Sequence, residues 1–572
     1  MTNRDIANTF NEIAELLDIE GANPFRIRAY RNAARTIFSY PKEMKSLIEE
    51  GFDLTTLKTI GKDLSQKITE LVKTGELKFL NDLKHRVDPE LEELLKIPGM
   101  GPKRVHLLYE LLRVKSIEGL KTALQNGRLE RIAGFGAKLL ETLRTALGKK
   151  MTETKRYRLY DIRPIAQQMC ELLSHAKGVV RIEIAGSIRR RKDTAKDIDL
   201  VAACEENSDI MTHFTALPDV QSIVMQGATR SSIILKNGIH VDLRAVSENE
   251  FSTALHHFTG SKAHNIELRT MASKQGMKIN EYGIFNKEQT IASKSEEELY
   301  QALGMPYIVP ELRENQGEIE AALKNTLPHL IDSADIRGDL HVHTIYTDGM
   351  NTVLEMALAA REKGYEYLAI TDHTHHLRIA HGLDEGRILK QLDEIDRLNE
   401  SLVGIRLLKS AEVDILSDGT LDLPDSILQQ LDLAVCAVHY RFNLTKKEQT
   451  DRILKAMENP YFTILAHPTG RLLGLREPYE LDMEAIIRSC ADNGVMLELN
   501  AQPDRLDIND LHCKMAKDAG VKIAISTDAH SIDDLKLMEM GIGQARRGWI
   551  EKDDVINTRT LQEIIKLLKY RH

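Results

Sequence analysis

From residue 336 to the end of the chain, seven short apolar runs alternate with stretches of helical periodicity. The runs are IRGDLHVHT, YEYLAIT, IRLLKSAEV, LDLAVCAV, FTILAH, VMLELN and VKIAIST; the helical stretches include NTVLEMALAAREKG, EGRILKQLDEIDRLNESL and MEAIIRSCADNG. Few folds accept this order. Strands joined through helices lie parallel, so the segment is expected to form a parallel sheet or a barrel. The polar residues fall at the C-terminal ends of the runs: His341 and His343, then His373, Glu412, His439, His467, Asp528 and His530. A barrel builds its active site on that face.

Singly, each of these histidines reads as an ordinary loop residue. Their shared placement is what carries chemistry, because HVH puts two imidazoles on one strand face and later strand ends add more. Imidazole and carboxylate without thiolate suit Zn²⁺, Mn²⁺ or Fe²⁺.

A second ligand set lies in RIEIAGSIRRRKDTAKDIDLVAAC (181–204), which reads as strand, Gly-Ser turn, basic connection and strand. Asp197 and Asp199, two apart on a strand, point to one face. SIILKNGIHVDLRAV (232–246) reads as a hairpin turning at Asn237-Gly238, with Asp242 on the return strand. Three carboxylates on adjacent strands can hold two Mg²⁺ ions, and two metals roughly 3.5–4 Å apart can clamp both oxygens of an in-line phosphoryl displacement. Asp-x-Asp alone is commonly a solvated strand end. The preceding Gly186-Ser187 gives it weight, since that turn offers N–H groups and a hydroxyl to a triphosphate, with Arg190 nearby.

The first 150 residues carry a repeated turn: LKTIGKDLSQKI (57–68), LKIPGMGPKRVHLL (95–108) and RIAGFGAKLLETL (131–143). Paired glycines, Gly99 with Gly101 and Gly134 with Gly136, permit a tight positive-φ turn between helices. The turn presents N–H groups at the next helix start, a phosphate site to which Lys103, Arg104 and Lys138 add charge. This helix-hairpin-helix pattern grips a DNA backbone without reading its sequence. The alternative is a plain joint in a helical bundle.

Charge agrees with the first reading. Residues 1–150 hold 26 Lys and Arg against 21 Asp and Glu, so a chain of net charge −9 divides into +5 and −14. Five scattered cysteines without a Cys-x-x-Cys pair exclude a thiolate zinc site and fit a reducing compartment. MTNRDIANTFNEI lacks the apolar core of a signal peptide. No apolar stretch approaches the roughly 18–20 residues of a membrane span. A cytoplasmic, monomeric protein without a membrane partner is expected.

The Gly-Ser and Asp-x-Asp segment strongly resembles the nucleotidyltransferases of DNA polymerase family X, the polymerase beta group. FTGSKAHNIELRTMASKQGMKINEYGIF (258–285) resembles their thumb, and FRIRAYRNAARTIFSYPKEM resembles the N-terminal lyase-type domain. The likeness implies that Asp197 and Asp199 bind both Mg²⁺ ions and that Asp242 helps activate a primer 3′-hydroxyl. Gly186, Ser187 and Arg190 would hold the triphosphate, Phe258 and Gly260 the sugar, and Asn265 and Arg269 the nascent pair and template. His257 and Lys262 depart from vertebrate relatives, which carry a tyrosine and an acidic residue there. In KITELVKTGEL, Lys67 is the candidate Schiff-base lysine, its alternative being a solvated helix lysine.

The histidine set resembles the polymerase-and-histidinol-phosphatase (PHP) superfamily. That implies a distorted β/α barrel with a trinuclear metal cluster held by His341, His343, Asp348, His373, Glu412, His439, His467, Asp528 and His530.

The expected architecture is a multidomain one. A lyase-type helical domain (1–85) and a helix-hairpin-helix domain (86–150) precede an α/β nucleotidyltransferase palm (151–243) and an α+β thumb (244–315). A charged connector (316–335) leads to the PHP barrel (336–572). The expected function is polymerisation of deoxynucleoside triphosphates on gapped or primer-template DNA in base-excision-type repair. The barrel would process 3′ ends as a 3′–5′ exonuclease, and the family also implies cleavage at abasic sites. Two alternatives are a barrel that hydrolyses a small phosphomonoester and a DNA-binding scaffold with structural metal sites.

Overall fold

A computed structural model describes residues 1–572 other than 41, 96, 98, 133, 137–138, 141, 144–154, 287–288, 292–293 and 570–572. Two compact units result, Met1–Lys155 and Arg156–His572. Among the described residues no helix is long and apolar enough to cross a membrane.

The first unit is helical. Its first helix, Asn3–Ile19, is closed by a Thr2/Asp5 capping box and buries Ile6, Phe10, Ile13 and Leu17 in one stripe. The repeated turn occurs three times with the same backbone bonds. Ile60 N donates to Leu57 O at 3.0 Å, Met100 N to Ile97 O at 2.9 Å, and Phe135 N to Ile132 O at 3.1 Å. Only the first residue of each glycine pair is left-handed: φ is +87° at Gly99 and +93° at Gly134, and Thr59 takes +76° in the degraded copy. The second glycine is a helix N-cap in the copies at Gly61 and Gly101. Thr59 accepts the left-handed strain that glycine avoids in the other two copies.

The second unit holds the sheets. Five strands lie in the spatial order Val179–Ile184, Asp197–Cys204, His240–Val246, Arg230–Leu235 and Val220–Gln226. The hairpin turns at Gly238 as expected, with φ +86°. Its return strand continues to Val246, three residues past the expected palm boundary. The helices Phe251–Thr259 and Lys262–Lys274 and a three-stranded ribbon follow.

The C-terminal part is a nearly closed barrel of seven parallel strands in chain order: Gly338–Val342, Tyr367–Ile370, Arg406–Asp414, Leu433–Ala437, Phe462–Leu465, Met496–Asn500 and Ile523–Ser526. The ends meet where Val342 pairs with Ala529 and His343 N donates to Ala529 O at 2.8 Å. All seven strands coincide with the apolar runs of the sequence. They are buried on both faces, hence their near-continuous hydrophobicity.

The segment 316–335, expected to be a charged connector, is packed. It contains the helix Glu318–Leu323, whose Ile319 and Ala322 join the thumb core, and Ile331 belongs to the barrel core. Ile331 N donates to Ile550 O at 3.0 Å. Thumb and barrel therefore share a continuous packed joint. One of the charges that suggested a solvated connector is spent on a buried partner, Glu318 accepting from His264 at 2.6 Å with both fully buried, while Glu320, Lys324 and Asp332 stay exposed.

Candidate active sites

The palm carboxylates come from two neighbouring strands in parallel register, with Asp199 opposite Asp242 and Asp197 opposite His240. Ile198 and Leu200 point into the core, so Asp197 and Asp199 share the other face. Asp242 accepts a bond from Ser232 Oγ and one from Arg230 at 3.2 Å. Burial pushes the Asp199 carboxyl up to about 7, helped by Asp197 and Asp242 and opposed by Arg190 and Arg230. Three acids converging with so little opposing charge suit divalent cations bound by oxygen.

Gly186 opens a single helical turn, Gly186–Arg189, that also carries Ser187. Its φ is +62°, and a Cβ there would lie 2.1 Å from Asp199 Oδ2. Only glycine lets this turn approach the acids. Arg190 is turned toward the thumb: Nε donates to Glu314 at 2.9 Å and a terminal nitrogen donates to Thr259 O. Gly260, with φ +74°, leaves room for it, since a Cβ there would be 3.1 Å from the Arg190 guanidinium. The Phe258 ring lies under Arg244 at 5.0 Å. Asn265 donates to His257 O at 2.7 Å and Arg269 to His257 Nδ1 at 2.8 Å. The imidazole of His257 thus anchors Arg269, whereas Asn265 is held by the backbone carbonyl of the same residue.

In the barrel all nine ligand candidates converge. Three groups have ligand atoms close enough to share an ion: His343, Asp348, His373 and His530; His341, His343 and Asp528; and His373, Glu412 and His439. Glu412 is central, 2.8 Å from His373, 3.1 Å from His439, 2.9 Å from His467 and 3.5 Å from both His341 and His343. His467 meets the cluster through Glu412 and belongs to none of the three groups. The Nδ1 atoms of His343 and His467 are buried without a hydrogen-bond partner. Orphaned imidazole nitrogens among carboxylates fit divalent metals.

The sequence reading missed the carboxylates behind these ligands. Glu498 bonds His341 Nδ1 at 2.7 Å and His467 N at 2.7 Å, and Asp414 bonds His439 Nδ1 at 3.0 Å. They fix the imidazole orientation. Their signal is an acid inside an otherwise apolar parallel strand, VMLELN or AEVDIL.

In the helical unit, Lys67 is paired with Asp63 and lies 5.1 Å from the centre of the Phe79 ring. Lys103 is exposed at the Gly99–Gly101 turn, whereas Arg104 is spent on Gly99 O at 2.7 Å. Lys138 lies outside the described residues.

Four family models match the chain: a helix-hairpin-helix domain (1–77), a SAM-like helix-hairpin-helix tandem (91–149), the DNA polymerase beta thumb (254–314) and the PHP domain (339–502). The DNA polymerase/3′-5′ exonuclease PolX of Bacillus subtilis (strain 168) is 38% identical over 573 residues, covering 100% of both chains. A probable phosphatase of Thermoanaerobacter sp. (strain X514) is 30% identical over 232 residues, 38% of this chain and 89% of the relative. A probable phosphatase of Vibrio parahaemolyticus serotype O3:K6 is 29% identical over 253 residues, 41% of this chain and 95% of the relative.

Proposed function

The chain belongs to the family X DNA polymerases that carry a C-terminal PHP domain, and from that membership we propose how its two acid-rich sites divide the work. The protein is a DNA polymerase with 3′–5′ exonuclease activity. Polymerisation belongs to Asp197, Asp199 and Asp242, and 3′-end hydrolysis to the histidine cluster of the barrel. The observation that carries this division is the separation of the two ligand sets onto two different sheets.

At the palm, Asp197 and Asp199 would hold two Mg²⁺ ions, with Asp242 completing one of them. When bound, such a pair supplies the charge that stabilises the attacking and leaving oxygens. Asp242, oriented by Ser232 and Arg230, would accept the primer 3′-hydroxyl proton or steady the ion that lowers its pKa. Gly186 and Ser187 offer N–H and hydroxyl donors to the triphosphate, and Arg190 reaches it by leaving Glu314. Phe258 and Gly260 bound the sugar. Asn265 and Arg269, held by His257, face the pairing base.

At the barrel, the nine ligands would hold Mn²⁺, Zn²⁺ or Fe²⁺. When bound, these metals lower the pKa of a water and neutralise the scissile phosphate. Glu412 bridges the imidazoles, and Glu498 and Asp414 keep them aimed. The turns at Gly99–Gly101 and Gly134–Gly136 would grip the DNA backbone, Lys103 adding charge. The substrates we infer are gapped DNA and deoxynucleoside triphosphates, in cytoplasmic base-excision-type repair by a monomer, with Lys67 as the candidate lyase residue.

Asp199→Asn tests the division. It should abolish primer extension on a gapped duplex and leave Mn²⁺-dependent 3′–5′ degradation, with His343→Ala doing the reverse. A His343→Ala protein that degrades DNA at the wild-type rate would mean the hydrolytic site is misassigned.

A further inference from the structure

The palm turn that carries Arg190 touches the barrel through charge. Arg547 ends the helix Met538–Arg547, and its side chain is almost wholly buried, 3% exposed. It has three acceptors: Arg190 O at 2.8 Å, Glu314 Oε1 at 3.0 Å and Asp510. Asp510 belongs to the first turn of the barrel helix Asp510–Asp518. Gly548 brings the two helices close, since a Cβ there would lie 2.3 Å from Cys513 Cβ. Arg547 is thus rooted in the barrel and reaches into the polymerase.

Glu314 Oε1 is shared, because Arg190 Nε donates to the same oxygen at 2.9 Å, and Lys192 stands 3.9 Å from Oε2. These cations outweigh the burial penalty and hold the Glu314 carboxyl at about 2. Next to it, Arg546 bonds Glu311 at 2.9 Å. Arg191, from the palm turn, approaches Glu311 and Glu539 at 3.7 Å each.

We propose that Arg547 of the PHP barrel is a positioning residue for nucleotide binding: it fixes the Arg190 carbonyl and keeps Glu314 paired when Arg190 turns from Glu314 to the triphosphate. A buried carboxylate left without a cation is strongly unfavourable. Were Arg190 its main partner, Glu314 would hold that arginine and oppose its transfer to phosphate. With Arg547 on the same oxygen, Glu314 remains paired after Arg190 leaves. The inference rests on the reading of Arg190 as a triphosphate ligand.

The test is steady-state extension of a gapped duplex by the full-length protein, with the KM for the nucleotide separated from kcat. Arg547→Ala should raise that KM about tenfold with kcat changed less than about twofold. Glu314→Gln should leave KM unchanged or lower it, and Arg547→Ala/Glu314→Gln should restore it toward wild type, because no charge then retains Arg190. A merely structural role predicts additive losses in both parameters. Exonuclease activity on single-stranded DNA reports whether the barrel is folded. If Arg547→Ala loses it, Arg547→Gln, which fills much of the same space without the charge, takes its place in the same comparison. Arg190→Ala separates the two readings. If it raises KM while the Arg547 variants do not, the positioning role is wrong and the ligand role stands. If Arg190→Ala leaves KM unchanged, the ligand role itself is wrong.

Discussion

Replacing Asp199 by asparagine should stabilise the metal-free protein, by an amount that grows with pH. Burial beside Asp197 and Asp242 pushes the Asp199 carboxyl up to about 7, about three units above an unfolded aspartate, and each unit corresponds to about 1.36 kcal/mol. The upper bound is about 4 kcal/mol, and partial solvent access in the cleft brings the expectation to about 2–4 kcal/mol. A carboxyl whose folded pKa is raised contributes its full stability below the unfolded value, near pH 4, and loses it as pH rises through about 7. Asparagine has no proton to lose. The advantage of the variant therefore opens between about pH 4 and 7 and is constant above that window. Urea unfolding in chelator reads it through the single tryptophan, since Trp549 packs in the thumb core two residues beyond the helix Met538–Arg547, whose Met540 packs against the palm core. Mg²⁺ should reverse the order by stabilising the wild type alone. A stability difference that stays the same from pH 5 to pH 8 would refute the argument from burial and like charge.

Three other outcomes follow from single contacts. Gly186→Ala forces a Cβ against Asp199 and a left-handed φ on alanine, so gap filling should fall about 100-fold while the exonuclease rate holds. Glu412→Gln removes the carboxylate charge at the centre of the histidine cluster; exonuclease activity should drop about 100-fold or more and the bound-metal content with it, with primer extension as the unaffected control. Arg313, fully buried, pairs with Glu296 at 2.6 Å. Against a burial penalty that would raise it, Arg313 and Arg189 hold the Glu296 carboxyl well below its ordinary range. Arg313→Met leaves Glu296 with Arg189 as its remaining cation, so it should cost about 1–3 kcal/mol in thermal or urea unfolding, and Arg313→Met/Glu296→Gln should recover most of that. A double variant no more stable than the single one would mean that packing, not the lost ion pair, sets the loss.

The parts of the fold that were legible share one property: the signal was local and periodic. Each barrel strand announced itself as a short apolar run because both its faces are buried. Eight of the nine candidate ligands stood at or near the end of such a run, where the parallel register brings distant strand ends together without further information; Asp348, in the loop after the first strand, did not. The Asp-x-Asp pair was legible for the same reason, its two-residue period fixing a shared face. Gly186 was named from its motif, but the reason for glycine, a Cβ 2.1 Å from Asp199 Oδ2, needs the structure. Glu498 and Asp414 were legible in principle, as acids inside apolar runs. Their role depends on which imidazole nitrogen they meet, and that is a tertiary fact.

The stretch 311–335, which joins the end of the expected thumb to the expected connector 316–335, was harder to read for a different reason. In ELRENQGEIEAALKNTLPHLIDSAD, charge density and the absence of a motif suggest a solvated connector. Composition does not reveal whether a carboxylate faces water or a guanidinium more than 200 residues away. Glu311 and Glu314 meet Arg546 and Arg547 across 235 and 233 positions. The same Glu314 meets Arg190 from the other side of the chain. A residue that bonds both a palm arginine and a barrel arginine is no spacer, because moving either body would break a charge-assisted hydrogen bond. The two sites were found in the sequence as separate motifs. What joins them is a carboxylate that no motif contains, and its position is the physical reason to expect that a barrel residue can alter how the polymerase binds its nucleotide.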